Sequence, residues 1–217
     1  MGRETVQSEG PTTRAKTRRR RSPDEARAQA LACARQLLIS QGPDGVTLNA
    51  VAREIGVTHG NLIHHFGSAA QLQSALMGAM VRDLAEALRT AVAHVRSDAN
   101  APRALVDIVF DAFDEGGAGQ LAAWIALSNR YEHLEPVREA VGDLVSALDE
   151  TVRSAGGGAP QHIPSALLLL TLCAFGDAMI GGPLRAMLER DDESVRRIAA
   201  HLLPSLLDQI DINVNNY

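Results

Sequence analysis

From Ser22 onward apolar residues recur every three or four positions, and nowhere do apolar and polar residues alternate over a convincing stretch. The pattern predicts an all-α chain. Ser22-Pro23-Asp24-Glu25 starts the first helix with a capping hydroxyl, a proline at the first helical position and a glutamate that returns the bond. Leu31, Ala34 and Leu38 form its inner face to about Ser40, and Gln41-Gly42-Pro43 stops it.

Two short helices follow. Thr47 caps the first, in which Val51, Ala52 and Ile55 share a face and Gly56 ends the run. Val57 continues the apolar surface, Thr58 caps the second helix, and Leu62 and Phe66, at i and i+4, hold that helix against the first. His59, Asn61, Ile63 and His64 then point outward, with Gly60 permitting close approach. This is the pattern of a helix-turn-helix, whose second helix fits the major groove of DNA. Gly67-Ser68 opens a long fourth helix carrying Leu72, Leu76, Met80, Leu84, Leu88, Val92 and Val95.

Further helices are predicted over about 102–115, 118–131, 135–155, 163–188 and 192–211, with 156–160 as a flexible loop and a kink at Pro204. Trp124, Ser128 and Tyr131 recur at i, i+4 and i+7, with Phe113 on the preceding helix; that stripe lines either a core or a pocket, for which Ser128, Tyr131 and His133 offer polar anchors. The helix from 163 is apolar on more than one face, and a second copy of the chain would bury the spare face; the alternative is that the long first-to-fourth helices cover both faces in a monomer. Asp177 within it is either a hydrogen-bonded partner at that interface or a pocket anchor.

Gly42, Thr47, Val51-Ala52, Gly56-Val57-Thr58, Gly60, Leu62, His65-Phe66 and Leu72 together resemble the DNA-binding domain of TetR-type transcriptional regulators, over about residues 26–76. Two positions depart from that family: Ile63 stands where an aromatic is usual, and Ala69 where lysine is usual, and both normally touch phosphates. The resemblance implies a homodimer on a palindromic double-stranded DNA operator, with heads placed for major grooves about 34–36 Å apart. It also implies an inducer pocket in the body, to which Phe113, Trp124, Ser128, Tyr131 and Asp177 are assigned, and repression relieved by a small molecule. The expected domains are a disordered basic arm over 1–21, a three-helix DNA-binding domain over 22–68, and a larger helical ligand-binding and dimerisation domain over 69–217.

Charge agrees with that division. The net charge is −5, yet residues 1–75 carry ten Arg and Lys against six Asp and Glu, and the rest carries eleven against twenty. Arg18, Arg19, Arg20 and Arg21 end a polar arm suited to phosphates or the minor groove. Thr47 and Thr58 are further phosphate candidates and Arg53 a weaker one, while His59, Asn61 and His64 are candidates for reading bases, beside Gly60.

No apolar segment follows the basic residues as in a signal peptide, no uninterrupted membrane-length apolar run is present, and a cytoplasmic protein with free Cys33 and Cys173 is expected. The seven His lack metal-ligand spacing and no nucleophile elbow occurs, so neither an enzyme nor a cofactor is expected. The alternative is a small-molecule-binding or protein-interaction module whose helix-turn-helix is only structural.

Overall fold

The computed structural model describes residues 22–94, 101–129, 133–154 and 162–209. Every regular element among them is helical: α1 (Pro23–Gln41), α2 (Leu48–Ile55), α3 (His59–Phe66), α4 (Ala69–His94), α5 (Ala101–Phe113), α6 (Ala118–Leu127), α7 (Glu135–Ser154), α8 (Ile163–Gly176), α9 (Gly182–Met187) and α10 (Ser194–Gln209), with a short 3-10 turn at Pro43–Gly45. The predicted arm, the loop at 156–160, Val95 and Tyr131 lie outside the described residues.

The first helix starts as its sequence demands. Glu25 N–H donates to Ser22 Oγ at 3.1 Å, and Ser22 N–H donates to Glu25 Oε2 at 2.9 Å. This closes the reciprocal cap and satisfies two donors that a bare helix end would leave to water. Ala30, Cys33, Ala34, Leu37 and Leu38 then form its buried stripe.

That stripe belongs to a cluster that does not stop at the end of α3. Leu38, Val46, Val51, Leu62 and Phe66 pack with Leu72, Leu76 and Met80 of α4 and with Leu121 and Ile125 of α6. A second cluster joins Leu88 of α4, Val106, Val109 and Phe110 of α5, Leu144 of α7, Leu170 and Ala174 of α8, and Leu203 of α10. Helix α4 therefore runs through both cores. Where α4 crosses α7 the backbones nearly touch, since a Cβ on Gly78 would lie 2.6 Å from the carbonyl oxygen of Pro136.

Helices α8 and α9 form one run, 163–187, joined by a π-helical turn at Asp177–Gly181. Among the described residues it is the one helix long and apolar enough, by length and composition, to cross a membrane. In the sequence, Asp177 interrupts the apolar run. In the fold, that carboxylate is neutralised within the same helix by Arg185. Eight residues normally rotate about 80° out of line at 100° per residue, and the extra residue of the π turn brings both side chains back to one face. Gly181 between them leaves room for the pair, because a Cβ there would meet the Asp177 carboxylate and approach Arg185 Nη1 to 2.7 Å, so that both side chains would have to shift.

Candidate nucleic-acid interface and ligand cavities

The turn between α2 and α3 depends on Gly56. Its φ of 69° and ψ of 38° place it in the left-handed region, so that Val57 N–H reaches back to the Ala52 carbonyl at 3.0 Å. Thr47 Oγ1 accepts from Ala50 N–H at 3.1 Å, and Thr58 Oγ1 accepts from Asn61 N–H at 3.3 Å. Each hydroxyl accepts in its cap and keeps its own O–H to donate elsewhere. Leu62 and Phe66 are buried, which leaves His59, Gly60, Asn61, Ile63 and His64 exposed. Thr47, Arg53 and Thr58 are exposed as well, on the elements leading into α3. Arg18, Arg19, Arg20 and Arg21 lie outside the described residues.

Sequence reasoning missed the residue that fastens this helix. Arg27 on α1 donates from Nη1 to the carbonyl of His65 at 2.7 Å, and its guanidinium lies 4.6 Å from the centre of the Phe66 ring. The carbonyls at the end of α3 have no partner inside the helix, and a cation there also faces the negative end of the helix dipole. Nothing in local periodicity signals a partner 38 positions away. Gln73 was missed for the same reason: its buried amide donates to the carbonyl of Val46 at 3.2 Å and ties α4 to the entry of α2. Ser74 ties α4 to the segment entering α7 by donating to the carbonyl of His133.

The helical head is also recognisable as a sequence. Residues 30–76 match the family model described as bacterial regulatory proteins, tetR family. The head is a TetR-family domain. Solved structures agree at the level of fold across most of the chain. The fatty acid degradation regulator FadR from Bacillus halodurans is 14% identical with a TM-score of 0.57, covering 85% of this chain and 96% of its own. The multidrug binding protein EbrR complexed with imidazole is 16% identical with a TM-score of 0.58, covering 87% and 98%. A TetR-family transcriptional regulator from Pectobacterium atrosepticum is 19% identical with a TM-score of 0.57, covering 85% and 93%. No curated protein matches the chain.

The body does not gather the residues assigned to one pocket. Phe113 borders a cavity of about 280 Å³ between α1, α4, α5 and α6, with Met77, Met80, Leu84 and Ile108, and with Arg35 and Asp83 among its lining residues. Trp124 is half-buried and borders neither this cavity nor the groove described next. The predicted stripe from Trp124 through Ser128 to Tyr131 is broken, because α6 ends at Leu127. Ser128 sits at the cap and donates to the carbonyl of Ile125 at 2.9 Å, and Asn129 turns into the left-handed region with φ of 52°. Tyr131 lies outside the described residues.

Asp177 is elsewhere, in an open groove of about 790 Å³ between the 163–187 helix and α10. Leu172, Ile180, Leu184, Ile198 and Leu202 line it, all exposed. Burial pushes the Asp177 carboxyl above its ordinary value, against the opposing pull of Arg185 and Arg196. The Arg185 Nε atom is buried without a hydrogen-bond partner, 3.6 Å from the Asp192 carboxylate. Burial likewise raises the thiols of Cys33 and Cys173, both free. Among the described residues no cluster of His, Cys, Asp and Glu could hold a metal ion.

Proposed function

We propose that this chain is a ligand-responsive DNA-binding transcriptional regulator, a homodimer that represses from a palindromic operator and is released when a small molecule occupies its body. The observation that carries the reading is the exposed strip of His59, Gly60, Asn61 and His64 on α3 of a TetR-family head, opposite buried Leu62 and Phe66. A helix presented so enters the major groove, where Asn pairs with adenine and His can donate or accept at base edges. Thr47 and Thr58 would donate their remaining O–H to phosphates, with Arg53 beside them.

Most of the attraction to DNA falls to the arm. Residues 22–75 carry Arg27, Arg35 and Arg53 against Asp24, Glu25, Asp44 and Glu54, so the excess of positive charge ahead of the body lies before Ser22, ending in Arg18 to Arg21. Arg27 and Arg35 are moreover engaged within the fold. Arginines that meet the DNA backbone neutralise phosphates without reading sequence.

The dimer reading rests on the exposed apolar residues of 163–187 and α10, a contiguous face of the kind that monomeric proteins rarely present to water. The inducer reading rests on the cavity beside Phe113. At about 280 Å³ it falls just below the usual range for ligand pockets, and the adaptable side chains of Met77 and Met80 border it. A small molecule with a largely apolar body fits that lining.

Selection of bound duplexes from a random DNA pool near physiological salt tests the reading. An enriched palindrome with half-sites about one helical turn apart is the expected result. No enrichment by a folded dimer would overturn it in favour of a binding module whose helix-turn-helix is structural, the role to which the missing phosphate donors at Ile63 and Ala69 would then belong.

A further inference from the structure

The outward strip of α3 contains one side chain that can neither hydrogen-bond a base nor neutralise a phosphate. Ile63 is 45% exposed in the middle of the helix. Only Ile39, on α1, is another large exposed apolar residue within described residues 22–76, and its side chain lies along Gly117 at the foot of α6. Ile63 has Gly60 one turn before it, and a Cβ on Gly60 would meet nothing within 4 Å. The strip beside the isoleucine is therefore bare backbone, open to a close-fitting surface. At the position where the resemblance implies a phosphate-bonding aromatic, this chain carries an aliphatic branch.

We propose that Ile63 is a specificity residue that recognises the 5-methyl group of a thymine in each operator half-site. The inference rests on the DNA-binding reading above and adds a defined chemical contact to it. In the major groove all four base-pair orientations present donors and acceptors, but only thymine presents a methyl group. An aliphatic side chain set among Asn61 and His64 has that one feature to distinguish. Asn61 and His64 hold the polar edges, Gly60 admits the helix to the depth required, and Ile63 leaves water by packing on the methyl carbon.

The test replaces each thymine of the selected operator by deoxyuridine, which removes the methyl and nothing else, and measures affinity of wild-type protein, Ile63→Ala and Ile63→Val. Losing one buried methyl corresponds to about a fourfold loss of affinity per half-site. The expected result is such a loss at one thymine per half-site for the wild type, a similar loss for Ile63→Val, and none at that position for Ile63→Ala, which binds thymine and uracil operators equally. Indifference of the wild type to uracil at every position overturns the proposal while the DNA-binding reading stands, and so does an Ile63→Ala variant that keeps the full sensitivity. A folded protein that selects no operator overturns both together. Because Ile63 is exposed, the alanine variant retains the buried packing of Leu62 and Phe66, and a helical spectrum matching wild type verifies it.

Discussion

Arg27 Nη1 and the carbonyl oxygen of His65 stand 2.7 Å apart, and this single hydrogen bond joins the first turns of α1 to the last turn of the helix that faces outward. It acts from behind the exposed strip: Arg27 closes the end of α3 and rests on Phe66 without occupying the strip itself. Arg27→Met leaves the carbonyl without that partner and removes the cation from the ring. The expected cost is about 1–2 kcal/mol of head stability, with weaker DNA binding in proportion to the lost alignment. Thermal unfolding together with operator affinity checks it, and a variant as stable as wild type would show that the bond does not fasten the helix.

Base reading and phosphate attraction should separate by mutation. Asn61→Ala should lose about 1–3 kcal/mol at one operator position and relax the preference there. Removing Arg18 to Arg21 should weaken binding to every sequence and flatten the dependence of affinity on salt. Titrations against operator and random duplexes at several salt concentrations read both effects. An Asn61→Ala variant with unchanged sequence preference refutes its assignment.

Charge placed in the apolar face should undo the proposed dimer. Ile198 is 61% exposed and borders the groove opposite Leu172 and Ile180. Ile198→Glu costs little in an isolated chain, yet at an interface it buries an unpaired carboxylate. Sedimentation at micromolar concentration should give a folded monomer with weak operator binding. A dimer as tight as wild type would place the interface elsewhere.

Acid should act on two aspartates in opposite directions. Hydrogen bonds from Arg197, aided by the backbone of Glu193, hold the Asp191 carboxyl at about 2, below the value it regains on unfolding. Its contribution is present above the ordinary carboxylate range and is lost as pH falls through that range toward 2. Asp177 is raised by burial, so its protonated form favours the fold and that contribution fades as pH rises through its elevated value. Thermal midpoints of wild type and Asp191→Asn should therefore converge as pH drops from 5 to 2. A constant gap across that window contradicts the linkage.

The parts of the head legible in sequence were those set by neighbours within a turn or two. Thr47, Gly56 and Thr58 act on groups at most a few positions away, Leu62 and Phe66 follow from the helical period, and each stands where spacing placed it. The parts that were not legible depend on chain crossings. Arg27 and Gln73 find partners from other elements, and Arg185 meets Asp177 only because a π turn shifts the register by one residue. The stripe from Trp124 through Ser128 had helical spacing, but spacing alone does not reveal that Asn129 leaves the helix with positive φ. Nor does it say that Asp177 faces α10 while Phe113 faces α4.

The apolar cluster that runs from Ala30 through Phe66 and Leu76 to Ile125 also bears on how such a head can be exchanged. A chimera that transplants residues up to Ser68 onto an unrelated body would strip Leu38 and Phe66 of Leu72, Met80, Leu121 and Ile125, and would leave their surfaces to water. The transferable unit is drawn by shared side-chain packing rather than by a cut in the chain. A functional graft has to bring the first turns of α4 and a compatible α6, including a residue as small as Gly117 where Leu38 closes to 3.3 Å of a Cβ position.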